Sequence, residues 1–206
     1  MRRLIMFMLW TMCIFGLFGC SSVTSKKQNA MEINGDGKVT ASSYSSFDKE
    51  YYDPEELKEQ IQSAIDEYNS SIGSKNIELK KCSKDKENIQ VVISYKSGED
   101  YMAFNGVACY DGKLANIVNS GAVDTSVFVT SSDGGFRTTV GELNAKSGTE
   151  LDILVIEEPM TVKVPEDIQY TGGDVVISKG GTCVTGSQGT DDTIMDSPCY
   201  IIYGRR

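Results

Sequence analysis

Asp53-Pro54-Glu55-Glu56-Leu57-Lys58-Glu59-Gln60-Ile61-Gln62-Ser63-Ala64-Ile65-Asp66-Glu67-Tyr68 is the stretch on which the fold turns. Asp stands where a helix N-cap accepts orphan backbone N–H groups. Pro sits at the first helical position, where its missing N–H costs nothing, and Glu follows three residues after the cap. Leu57, Ile61, Ala64, Ile65 and Tyr68 then recur at helical spacing and make one apolar stripe. Lys58, Glu59, Gln62, Asp66 and Glu67 take the opposite side. The helix is expected to stop near Asn69, with Gly73 ending any continuation. Its polar side is acidic and is repelled by anionic lipid headgroups, so packing on its own sheet is the expected role.

Downstream the period changes to two. Ile77 and Leu79 begin a short strand, and Ile89, Val91, Ile93 and Tyr95 alternate with polar partners. Residues 107–110 and 114–118 flank Asp111-Gly112 and read as a hairpin. Residues 126–130 make another strand. Six more are read over 151–156, 161–164, 168–170, 175–178, 182–184 and 200–203, punctuated by Pro and Gly-Gly turns. Short strands at such spacing suggest a sandwich or a rolled sheet. The fold class expected is α+β: one amphipathic helix packed on a mostly antiparallel sheet, then a β-rich, sandwich-like C-terminal part. Four divisions follow: residues 1–19, a spacer over 20–47, a helix-plus-strand part over 48–119 and a β-rich part over 120–206.

The spacer reading comes from residues 21–47, rich in Ser, Lys, Asn and Gly with few large apolar side chains. Within it, Glu32-Ile33-Asn34-Gly35-Asp36-Gly37-Lys38-Val39 resembles the calcium loop of EF-hand and dockerin repeats. Asn34, Asp36, Gly37 and Val39 match the pattern. Glu32 stands where Asp is wanted, and Ser43 where the bidentate acid belongs. A Gly-rich turn accounts for the same residues without an ion.

The N-terminus reads as an address. Arg2 and Arg3 precede an almost wholly apolar run from Leu4 to Phe18, too short to span a bilayer. The run ends in Leu17-Phe18-Gly19-Cys20. These residues resemble the lipobox of bacterial lipoproteins. The resemblance implies cleavage between Gly19 and Cys20, a diacylglyceryl group on the Cys20 thiol, and acylation of the new amino terminus. It further implies attachment to a membrane, facing outside the cytoplasm, with lipid as the first partner. Two or three acyl chains hold a protein stably where one holds it marginally. Removing residues 1–19 takes away Arg2 and Arg3 and no acid, which moves the formal charge from -9 to -11.

Composition narrows the function. The chain has 206 residues, 20 Lys plus Arg against 29 Asp plus Glu, and no His. An acidic chain is a poor phosphate binder, so nucleic acid is not an expected partner. Without His there is no Ser-His-Asp triad, Cys-His pair or His-based zinc site. No nucleophile elbow or phosphate loop occurs. No catalytic residue, no resident metal and no cofactor are therefore assigned. The acids left for chemistry are Glu157-Glu158 and the cluster Asp191, Asp192 and Asp196; the first is a candidate glycosidase pair, the second a candidate calcium loop. Cys82, Cys109, Cys183 and Cys199 remain in an exported chain. Cys183–Cys199 and Cys82–Cys109 are the disulfides expected, with four buried thiols as the alternative. The reading that results is a noncatalytic envelope interaction module. A sugar- or peptide-capturing lipoprotein and a His-independent carboxylate hydrolase stand as alternatives.

Overall fold

The computed structural model describes residues 22–121, 123–132, 137–147, 151–178, 180–186, 195 and 197–204. The fold is α+β and rich in strands. One sheet has seven strands in the order β11 (Val175–Ile177), β12 (Thr182–Thr185), β9 (Met160–Lys163), β1 (Ala30–Ile33), β2 (Val39–Ser46), β4 (Asn88–Tyr95) and β3 (Ile77–Asp85). The other has six: β5 (Cys109–Lys113), β8 (Asp152–Ile156), β13 (Cys199–Tyr203), β10 (Ile168–Gly172), β6 (Phe128–Ser131) and β7 (Arg137–Thr139). Neighbours run antiparallel except β1 and β9, which are parallel.

The helix α1 (Pro54–Ser71) forms where its sequence places it. Asp53 Oδ1 accepts from Glu55 N at 2.8 Å and Glu56 N at 3.5 Å, satisfying two orphan donors of the first turn. Ile65 is the fully buried residue of its stripe, Ile61 and Tyr68 flank it, and Ala64 lies at the surface. The seam where α1 meets β3 is tied by Asn69. Its Nδ2 donates to Ile77 O at 2.9 Å, and its Oδ1 accepts from Asn76 N at 2.9 Å and Ile77 N at 3.0 Å.

Two apolar cores result. The first lies between the sheets and under α1; it joins Met31, Ile33, Val39, Ile65, Ile93 and Val162 to Leu154, Ile156, Ile201 and Tyr203. The second lies on the far face of the six-stranded sheet. There Ile153, Val155, Tyr200 and Ile202, alternating with the first set, pack against α3 (Leu114–Ser120) and α4 (Val140–Ser147). Both faces of β8 and β13 are therefore covered, which is why LVI and CYIIY read as unbroken apolar runs.

Three sequence expectations are corrected here. The stretch 20–47 is not all spacer: β1 and β2 sit in the middle of the seven-stranded sheet. Val23 and Thr24 lie buried in a 3₁₀ turn (Val23–Ser25). The polar composition misleads because β2 buries Val39 but carries mostly small hydroxyl side chains, one of which, Ser42, is buried. The division at 119/120 also dissolves. β9, β11 and β12 join the first sheet, and β5 belongs to the second, so the two halves of the chain interleave. Last, Asp111-Gly112 makes no hairpin. β5 runs through it, pairing Gly112 with Ile153, and the apolar run after it coils into α3, where Leu114, Ile117 and Val118 meet the core at helical spacing. The helices α2 (Gly98–Asn105) and α4 add to this count. Ser97 caps α2 by accepting from Asp100 N at 3.2 Å.

The Asn34–Lys38 loop is the β1–β2 hairpin turn. Gly37 N donates to Asn34 O, Asp36 pairs with Lys38 at 2.9 Å, and Glu32 pairs with Lys163 at 2.9 Å. The acids of the calcium-like pattern are thus engaged with lysines. Asp191, Asp192 and Asp196 lie outside the described residues. Among the described residues no helix is long and apolar enough to cross a membrane.

Candidate functional site

The chain crosses from one sheet to the other at Glu157-Glu158-Pro159, between β8 and β9, and a pocket opens beside this crossing. Its volume is about 400 Å³. One wall is the end of β2 with Asn29, Ser43 and Ser45. The other is the link Gly106-Val107-Ala108 after α2. Glu157, Glu158, Tyr101, Pro159 and Met160 complete the lining.

The Tyr101 hydroxyl donates to Glu158 Oε2 at 2.5 Å. Tyr101 is held by its neighbours: the Tyr95 ring meets it edge-on at 5.1 Å, and Asn105 Nδ2 donates to Tyr101 O at 2.9 Å and Tyr95 Oη at 3.2 Å. Burial pushes the Glu158 carboxyl above its usual range, and the Tyr101 hydrogen bond only partly counters this. Burial likewise pushes Tyr101 upward and takes Tyr95 up to about 12, so both hydroxyls stay protonated donors.

The crossing itself is rigid. Thr185 Oγ1, fully buried, donates to Glu158 O at 2.6 Å and accepts from Met160 N at 3.1 Å. Gly186 has φ +69°, and a Cβ there would lie 2.9 Å from Pro159 Cβ, so only glycine lets the two segments close. On the opposite wall Asn29 Oδ1 accepts from Tyr44 N at 2.8 Å, which leaves its amide hydrogens as the donors of that side chain. No lysine or arginine is among the described lining residues.

Both acids of the pair read from the sequence line the pocket, though each acts on different neighbours. Glu158 faces the core that holds Tyr101, Tyr95 and Cys109, on all of which its charge acts. Glu157 acts on Tyr200, a residue of the other core. Sequence reading singled out Glu157 and Glu158 as acids and missed Tyr101. That residue lies 57 positions from its partner, and nothing local in the chain announces the contact.

The four cysteines among the described residues are free thiols, and neither expected disulfide is formed in this structure. Cys109, Cys183 and Cys199 are buried and Cys82 half-buried. Cys82 lies on β3 beside α1, where Lys58 and Glu55 act on it, while Cys109 lies on β5 near Gly98, in the other sheet. Cys183 and Cys199 face one core from opposite sheets.

A second, wider groove of about 760 Å³ lies along the last turns of α1, lined by Gln62, Asp66, Asn69, Lys75 and Glu78 among others. Its central amide, Asn69, is spent on the helix–strand seam. Comparison with protein-family models, with curated proteins and with solved structures finds no match.

Proposed function

We propose that this chain is a lipid-anchored protein of the bacterial envelope, moored through Cys20, that captures a small polar molecule in the Glu158 pocket without transforming it. The anchor rests on the lipobox resemblance. Ligand capture rests on one observation: the half-buried Glu158 carboxylate, which accepts from the Tyr101 hydroxyl, lines a cavity of about 400 Å³. A carboxylate accepts several hydrogen bonds and is costly to bury with one. A ligand supplying a protonated amine there, with hydroxyls for Asn29, Ser43 and Ser45, compensates it. That chemistry suits an amino sugar or a peptide amino terminus better than a neutral sugar. The pocket also favours ligand capture over a broad protein interface. The exposed large apolar side chains are the adjacent pair Tyr51 and Tyr52, and Ile72, Phe128 and Val176 on separate elements or turns, an ordinary pattern for a surface.

Two measurements test the reading. Intact mass of the membrane-extracted protein should show cleavage before Cys20 and added acyl chains, and a Cys20→Ser variant should leave the membrane fraction. Calorimetry with glucosamine and glucose should show heat for the amine alone, lost in Glu158→Gln. Equal binding of both sugars, or binding unaffected by Glu158→Gln, overturns the pocket reading.

A further inference from the structure

Folded structure begins almost at the anchor. Val23 and Thr24 are each 5% exposed. Ser22 Oγ donates to Glu32 Oε2 at 2.5 Å. Gln90 Nε2 donates to Lys26 O at 2.8 Å, Thr24 O at 3.2 Å and Ser42 Oγ at 3.0 Å, which fastens the turn to the seven-stranded sheet. Three residues of extended chain reach about 10 Å at most. Half the difference between the full bilayer and its hydrocarbon core leaves roughly 5–7 Å of headgroup on each side. The reach from Cys20 to Val23 is therefore at most about two headgroup layers.

We infer that the face of the seven-stranded sheet covered by residues 22–27 lies directly on the lipid headgroups, with the bilayer surface as its occupant and no spacer between. This rests on the proposed lipidation of Cys20 and adds an orientation to it. Lys26, Lys27 and Lys81 are exposed on this face. Lys81 Nζ donates to Gln90 Oε1 at 2.8 Å, beside the carbonyl of Lys26, and Lys27 pairs with Asp85. Charges within about a Debye length of the phosphates, roughly 8 Å at physiological salt, feel that surface. A lysine there whose charge no acid offsets favours an anionic surface by roughly fivefold, whereas the charge of Lys27 is offset by Asp85.

The opposite face carries α1. The turn rests on Ser42 and Gln90, whereas Ile65 packs with Ile93 and Tyr95, and alternate strand positions point to opposite sides. The acids Glu55, Glu56, Glu59, Asp66 and Glu67 are thereby turned away from the membrane. For a chain that becomes more acidic on losing residues 1–19, this orientation keeps the acidic side of α1 away from anionic lipid.

Trp10 is the one tryptophan, so the mature chain contains none and accepts a single reporter. Lipidated Ser25→Trp and Ser63→Trp variants, the second on the exposed side of α1, are reconstituted into phosphatidylcholine–phosphatidylglycerol vesicles bearing nitroxide-labelled headgroups, and bound protein is collected by flotation. Ser25→Trp should lose most of its emission and Ser63→Trp should keep it. A long Gly/Ser insertion after Ser21 should restore the Ser25→Trp signal while the protein still floats. Lys26→Trp repeats the measurement should Ser25→Trp not fold. Floating protein with unquenched reporters near residue 25, or with both faces quenched alike, overturns the orientation. A wild-type protein that does not float overturns the lipidation reading, and the orientation with it.

Discussion

Tyr101 reaches Glu158 across the gap between α2 and the β8–β9 crossing, hydroxyl to carboxylate at 2.5 Å, as Tyr203 reaches Asp111 at 2.8 Å elsewhere in the same core. Both carboxyls are pushed above their usual range, first by burial. Their surroundings differ. Gly98 closes over Asp111, where a Cβ would come within 3.2 Å, whereas Glu158 lines a cavity. One pair is an internal tie and the other lines a cavity.

The raised Glu158 carboxyl sets a pH dependence. The folded state holds this proton more tightly than the unfolded chain, whose glutamates titrate near about 4.3. Between the unfolded and the higher folded value the native state therefore binds more protons, and stability falls as pH rises through that window. Glu158→Gln removes the titration. The variant should gain on the wild type as pH climbs from 4 to 7 and lose that advantage at pH 3 to 4. Urea denaturation at a series of pH values reads the difference, and a constant offset refutes it.

The helix and most strands of the last third were legible because each carries its own periodicity over several residues. Asp53, Pro54 and the Leu57–Tyr68 stripe specify α1 locally, and the LVI and CYIIY runs specify β8 and β13. What escaped is what depends on distant partners. β1 and β2 look like linker because their burial is provided by β9 and β4, more than forty residues away. LANIV carries β-branched residues that suit a strand, yet the second core takes it as a helix. The pocket was legible only as a pair of acids, since its tyrosine comes from another element.

The two early strands yield a direct check. Met31 is fully buried between the sheets, and β1 and β2 separate β9 from β4. Met31→Ala should cost about 2–5 kcal/mol by lost contact and cavity. A chain beginning at residue 48, which a true spacer would tolerate, should not fold. Circular dichroism and limited proteolysis of the truncated chain decide the matter.

At the helix cap, the effect should be smaller and local. Asp53→Ala removes the acceptor of two backbone donors and should destabilise by about 1 kcal/mol. Asp53→Asn keeps an acceptor oxygen and should lose much less. Urea midpoints of the three proteins, compared at equal slope, measure both.

Thiol reactivity separates the cysteines by burial. Burial pushes Cys109 and Cys183 up to about 12, with Cys183 further raised by charge at Cys199. At pH 8 the thiolate fraction then falls from roughly a quarter, for an ordinary thiol, to about one in ten thousand. The Cys199 thiol is also raised, and its Sγ donates to Asp174 O at 3.2 Å. Cys82 is pushed up by burial too, but it is only half-buried and Lys58 counters part of the shift. Iodoacetamide at pH 8 should therefore modify Cys82 first in the native protein, and all four cysteines of the body once urea unfolds it. Peptide mass spectrometry without reductant reads both results. A pair that resists alkylation even in urea, and yields only after reduction, restores the disulfide.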